Sequence, residues 1–182
     1  MQLGEKLFRF ELNGADGKYY NSYYYADRSA LLIIITCNHC KYSRAYWSRI
    51  KKLYDRYEED NLGIMCINPN DPAQFPDDSP ENMAKVARQL NIEFPYLFDE
   101  SQEVAKKLAA QRTPEAYLFN SKRELVYRGA IDDCWDNEHM VTRVYLEDAI
   151  ECTLDGIEVD YPEVTPVGCS IKWKPGNEPV LG

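Results

Sequence analysis

The chain has 182 residues, 45% of them apolar and 28% charged. That is the profile of one globular domain that folds without disulfide staples. Thirty acidic residues against 21 basic ones give a net charge of −9, and residues 41–56 hold the one dense basic stretch, at helical spacing, so no phosphate-binding surface and no nucleic-acid partner are expected. Residues 7–12 alternate, with Phe8, Phe10 and Leu12 on one face, and predict a half-buried strand. Turn signals Asn13-Gly14 and Asp16-Gly17 follow, then a Tyr-rich segment, 18–25, with room for a short edge strand. Leu31-Leu32-Ile33-Ile34-Ile35 suits a strand buried on both faces. From Tyr46 the period becomes helical, through Ile50, Leu53 and Tyr57, until Asn61 and Gly63 end it.

Residues 62–67 predict a second buried strand, followed by a Pro- and Asp-rich loop to Pro80. Ser79-Pro80-Glu81 opens a helix with a cap, an N1 proline and an early acid, and Met83, Val86, Ala87 and Leu90 form its stripe. A short strand over 94–98 precedes a helix over 101–110 capped by Ser101. Residues 116–119 and 124–127 form a hairpin, and 138–153 a last helix with Cys152 on its apolar face. Helices alternating with buried strands argue an α/β fold, a central mixed sheet with helices on both faces.

No apolar run approaches the ~20 residues of a membrane span, and residues 1–10 lack the apolar core of a signal peptide. Six cysteines are too sparse for a secreted disulfide scaffold. The expected setting is cytoplasmic and reduced, without a membrane partner. Only Cys37 and Cys40 are close in sequence, where a buried strand gives way to a helix. Residues i and i+3 share one face of a helical turn, so their sulfurs can meet. The unpaired N–H groups of a first turn stabilise a thiolate. Cys37 is expected to be the exposed, low-pKa nucleophile and Cys40 the buried resolving thiol. His39, between them, either favours the thiolate as an imidazolium or is simply a solvated helix residue. Zinc would need the pair to recruit Cys134 and His139; a structural disulfide is the other inert reading. Cys66 reads as core. Trp135 is a loop anchor or a surface contact. Cys169, in a tail with four prolines after Gly156, is either a passive thiol or a third redox partner brought near Cys37 by a docked strand at Ile171 and Trp173.

Thr113-Pro114 precedes a strand, where a cis X-Pro bond is accessible. In that reading Pro114 sits against the cysteines and the Thr113 backbone is free to pair with an extended substrate.

The CNHC motif 37–40, Asn68-Pro69-Asn70-Asp71, Phe94-Pro95-Tyr96-Leu97-Phe98-Asp99-Glu100, Thr113-Pro114-Glu115 and Val167-Gly168-Cys169-Ser170-Ile171-Lys172-Trp173 resemble thioredoxin-like proteins of the AhpC/TSA–redoxin superfamily. The similarity is to a subgroup with a CNHC-type motif and a GCSIKW-type tail. It implies a single thioredoxin-fold domain over 1–182, with an N-terminal β extension (1–28), a loop-helix insertion (68–92) and an irregular tail (156–182). It places the nucleophile on Cys37, the resolving thiol on Cys40 and the cis-proline on Pro114. Thr36 stands where thioredoxins carry Trp. The peroxiredoxin pattern of Pro, Thr and Cys is absent: Ile34 lies three residues before Cys37.

The function expected is thiol–disulfide exchange through a mixed disulfide. It uses no organic or metal cofactor, and its partners are protein or small-molecule disulfides and thiols. The alternatives are a peroxiredoxin-like peroxidase using Cys37 and a non-enzymatic redox- or metal-responsive binding protein.

Overall fold

A computed structural model describes residues 1–180. Its strands are β1 (Glu11–Gly14), β2 (Tyr19–Asn21), β3 (Ala30–Ile35), β4 (Leu62–Asn68), β5 (Tyr96–Phe98), β6 (Arg112–Thr113), β7 (Glu115–Phe119), β8 (Leu125–Gly129), β9 (Glu163–Val164) and β10 (Cys169–Ser170). Its helices are α1 (Lys41–Tyr57), α2 (Pro80–Gln89), α3 (Glu103–Leu108) and α4 (Tyr145–Leu154). One mixed sheet runs β2-β1-β5-β4-β3-β7-β8-β9, and β10 pairs separately with β6. No helix of the described residues is long and apolar enough to cross a membrane.

β3 lies at the centre, and every one of its residues is buried. Its two faces feed two clusters, as the two-residue period of a strand requires. Leu32 and Ile34 pack with Tyr46, Ile50 and Leu53 of α1, Met83 of α2 and Leu146 and Ile150 of α4. Leu31, Ile33 and Ile35 pack with Val104 and Leu108 of α3, and with Ile171 of the tail. Burying a side chain of this size contributes ~1.5–3 kcal/mol, so the central strand is the best-anchored part of the fold.

Four expectations shift. The first strand begins at Glu11: residues 4–7 are tied by backbone hydrogen bonds to Arg123 and Leu125, while Phe8 and Phe10 pad the second core cluster. α3 starts only after Gln102, whose φ is +64°, because the Asp99 carboxylate accepts the N–H groups of Val104 and Ala105. The last helix begins at Tyr145. Val141, Thr142 and Val144 are β-branched and poor helix formers, and the Thr142 N–H and hydroxyl both donate to Asp133. The tail contributes β9, parallel to β8, and β10, antiparallel to β6. The Ser79 cap is as expected: its hydroxyl accepts the Asn82 N–H at 3.2 Å.

A candidate active site at the end of the central strand

Register builds the site. Ile35, the last residue of β3, pairs with Ile67 on β4 and Glu115 on β7. The chain therefore leaves the sheet at Thr36-Cys37 with Asn68 on one side and Thr113-Pro114 on the other. The Thr113-Pro114 bond is cis, and both residues are buried. Glu115 shapes this turn by accepting the N–H groups of Gln111 and Arg112.

The motif itself is not helical. α1 begins at Lys41, and Cys40 is its N-cap with φ −58° and ψ 129°. The sulfurs meet because a loop folds them together, not because of i, i+3 helical spacing. Cys37 Sγ lies 3.5 Å from both Ser43 Oγ and Thr113 Oγ1. Cys40 Sγ lies 3.5 Å from the Thr113 carbonyl oxygen. The two sulfurs thus meet Thr113 from two sides, one at its hydroxyl and one at its carbonyl oxygen.

Cys37, expected to be exposed with a low pKa, is fully buried. Its thiol is held well above the usual range, first by donating to Cys40, then by burial and by the Asp78 carboxylate. Cys40 moves the other way, to about 4, because it accepts that hydrogen bond, which outweighs its own burial. The Cys169 thiol and the Ser43 N–H of the first turn add to the effect. Cys40 is the N-cap residue of α1, where the positive end of the helix favours a thiolate, although its sulfur takes no capping hydrogen bond.

Asp78 is the residue that sequence reasoning passed over. It is fully buried and accepts from the Asn38 N–H at 2.7 Å, Asn68 Nδ2 at 3.2 Å and Asn70 Nδ2 at 2.9 Å. Tyr96 donates to Asn38 Oδ1 at 2.6 Å. The motif loop is thus clamped by side chains from β4, β5 and the loop ahead of α2. The asparagines of Asn68-Pro69-Asn70 were a visible signal, since buried amides need partners. Nothing local marked Asp78 among its acidic neighbours.

His39 is no free surface residue. Its ring stacks on Phe75 (centroids 5.8 Å apart, 12° between planes), with its side chain 32% exposed. Nδ1 lies 2.7 Å from Asp78 Oδ2 but out of line for a hydrogen bond, so the contact becomes an ion pair only when the imidazole is protonated. Among the described residues, Cys37, His39 and Asp78 are the only group spaced to hold a metal ion, and Cys134 and His139 do not join it. Asp78 already accepts three N–H donors there, which leaves little for a cation.

The outlying residues resolve variously. Cys66 is fully buried, whereas Cys152, expected to be buried, is half-exposed at the edge of α4. Trp135 is a loop anchor: it meets the Tyr42 ring at 4.4 Å, and its carbonyl accepts from Arg49. Cys169 lies opposite Thr113 in the β10–β6 pair, and its thiol is a hydrogen-bond partner of Cys40 rather than Cys37.

The AhpC/TSA family model matches residues 3–128. A hypothetical protein from Sinorhizobium meliloti 1021 is 33% identical, with a TM-score of 0.91, 97% of this chain and 97% of that chain being covered. An uncharacterized conserved protein from Geobacillus kaustophilus is 38% identical over 96% of this chain and 94% of that chain, also at 0.91. A thiol-disulfide oxidoreductase from Bacteroides fragilis shares the fold at 17% identity and a TM-score of 0.58, over 68% of this chain and 89% of that chain. A search of curated proteins finds no match. The architecture is the thioredoxin fold.

Proposed function

The chain belongs to the AhpC/TSA family, and from that premise we propose that it is a thiol–disulfide oxidoreductase working through Cys40 and Cys37. The observation that carries the reading is the seating of two cysteines on Thr113, Cys37 Sγ 3.5 Å from its hydroxyl and Cys40 Sγ 3.5 Å from its carbonyl oxygen, with the Cys37 thiol raised and the Cys40 thiol lowered. The thiolate is the nucleophile of disulfide exchange. On this reading Cys40 attacks and Cys37 resolves, the reverse of the roles first expected.

In the proposed cycle, Cys40 thiolate attacks one sulfur of a substrate disulfide, and the other sulfur leaves as a thiolate. Cys37 then attacks Cys40 Sγ and gives up its proton as the second substrate thiol departs. The Cys37–Cys40 disulfide that remains is returned to two thiols by an external thiol or dithiol. The hydroxyls of Ser43 and Thr113, each 3.5 Å from Cys37 Sγ, steady the charge that develops there. Asp78 and His39 are positioning residues, because they hold the Asn38 backbone and the loop. Six cysteines without a dense framework pattern fit a reducing, cytoplasmic setting.

Reduced protein is expected to reduce hydroxyethyl disulfide, and Cys40→Ser to abolish it. Undiminished activity in that variant overturns the proposal. Hydrogen peroxide is expected to oxidise the reduced protein no faster than a bulk thiol; a fast stopped-flow phase would favour the peroxidase instead.

A further inference from the structure

The two-thiol cycle leaves a third sulfur beside it without a task. β10 lies antiparallel on β6, with Cys169 opposite Thr113 and Ser170 opposite Arg112. Thr113 is also the residue whose carbonyl oxygen sits against Cys40 Sγ. The tail is fastened in this position. Lys172 donates its N–H to Asn70 Oδ1 at 2.9 Å, and its carbonyl accepts from the Asp71 N–H at 2.9 Å and from Gln102 Nε2 at 3.1 Å. Lys174 donates its N–H to Gln102 Oε1 at 2.9 Å, and Ile171 enters the core. Gly168 comes so close that a Cβ there would stand 2.4 Å from the Thr113 carbonyl oxygen. The strand edge that an incoming peptide would pair with is filled by the chain's own tail, and the residue presented there is a cysteine.

We propose that Cys169 is a third redox thiol, which competes with Cys37 to resolve the mixed disulfide on Cys40 and leaves an intramolecular Cys40–Cys169 disulfide. The inference deepens the reading above and rests on Cys40 as the attacking group. With the strand edge filled, the substrate is the disulfide of a small thiol. Cys40 thiolate attacks it, forming Cys40–S–S–R and releasing RS⁻. The Cys169 thiol attacks Cys40 Sγ, and its proton goes to the second departing RS⁻. Two protein thiols have then reduced one disulfide to two thiols. A low-molecular-weight thiol or a dithiol protein restores them, entering at Cys169. Cys169 is partly exposed, whereas Cys37 and Cys40 are both buried. Thr113 brings the two cysteines together: its carbonyl oxygen lies 3.5 Å from Cys40 Sγ, and Cys169 is its partner across the β10–β6 pair.

The test uses full-length reduced wild type, Cys37→Ser and Cys169→Ser, each given one equivalent of hydroxyethyl disulfide, acid-quenched, alkylated and mapped with trypsin. Cys37→Ser is expected to yield peptide 29–41 cross-linked to peptide 144–172, with the bond at Cys169 rather than Cys152, and to release two small thiols per protein. Cys169→Ser is expected to lose that cross-link and keep the disulfide within peptide 29–41. A stable Cys40–mercaptoethanol adduct in Cys37→Ser, with Cys169 fully alkylated, overturns the proposal while leaving the Cys37–Cys40 couple intact. Absence of any Cys40 disulfide in wild type and in Cys169→Ser overturns the oxidoreductase reading beneath it. Cys37→Ala repeats the mapping should serine not be tolerated in the buried site.

Discussion

Two segments deliver sulfur to the same point, and they are held in opposite ways. The loop 36–40 emerges from the most buried strand of the sheet and is clamped by Asp78, Asn68, Asn70 and Tyr96. The tail around Cys169 arrives on a two-residue strand and a few hydrogen bonds to Asn70, Asp71 and Gln102. The first segment fixes its chemistry by burial. The second is a docked two-residue strand followed by Ile171, which seats in the second core cluster. A redox centre built from both has one half inside the sheet and one half added from the tail.

The contrast is broken most severely at Cys40. Cys40→Ser removes the thiolate and is expected to lower disulfide-reductase turnover by at least ~10³-fold, as loss of a nucleophile does, read as reduction of hydroxyethyl disulfide. Equal turnover would show that the half inside the sheet is not the reactive one. Next in size is the pH profile. Burial and the hydrogen bond from Cys37 oppose one another at Cys40, and the hydrogen bond wins, leaving its thiol at about 4. The thiolate therefore persists as pH falls. Iodoacetamide alkylation of Cys40, followed by mass spectrometry, should stay level from about pH 9 to pH 6, whereas an unshifted thiol near ~8.5 loses ~10-fold per unit below that value. A profile falling tenfold per unit through that range would contradict the assignment.

Asp78→Asn attacks the clamp. It places an amide against donors that need an acceptor, and each hydrogen bond to a charged group contributes ~1.5–3 kcal/mol. Urea denaturation should show a loss of that order, and Cys37 should alkylate faster as the carboxylate beside it disappears. Gly168→Val, the mildest change, drives a side chain into the Thr113 carbonyl. It should undock the tail, raise Cys40 alkylation severalfold, redshift Trp173 emission and cost about 1.5–3 kcal/mol of stability as Ile171 leaves the core. Unchanged Trp173 emission and Cys40 alkylation would show that the tail does not cover the site.

The same contrast explains what could be read in advance. β3, β4, α1 and the β7–β8 hairpin announce themselves through unbroken β-branched runs, four-three-four spacing and turn residues, because local pattern and burial agree there. Cys37, Cys40, His39, Thr113 and Pro114 were legible as types of chemistry in the right order along the chain. Which cysteine carries the charge was not. It depends on how the two sulfurs meet each other and Thr113, and on the Asp78 carboxylate beside Cys37, which the chain brings in from far along the sequence. Cys169 was visible only as an oddly placed thiol, since its partner strand is two residues long and long-range. The helix over 138–153 misled for a local reason, the β-branched run at Val141, Thr142 and Val144.

The most direct measurement is a redox titration of the wild-type protein, with alkylation and peptide mapping at each potential. The account predicts a reversible two-electron couple in which Cys40 forms a disulfide with Cys37 or Cys169. Stabilisation of the Cys40 thiolate favours the reduced form, so the midpoint should lie on the oxidising side of the ~−270 mV of thioredoxin. If both thiols remain alkylatable at every potential, or Cys40 never enters a disulfide, the central claim is wrong.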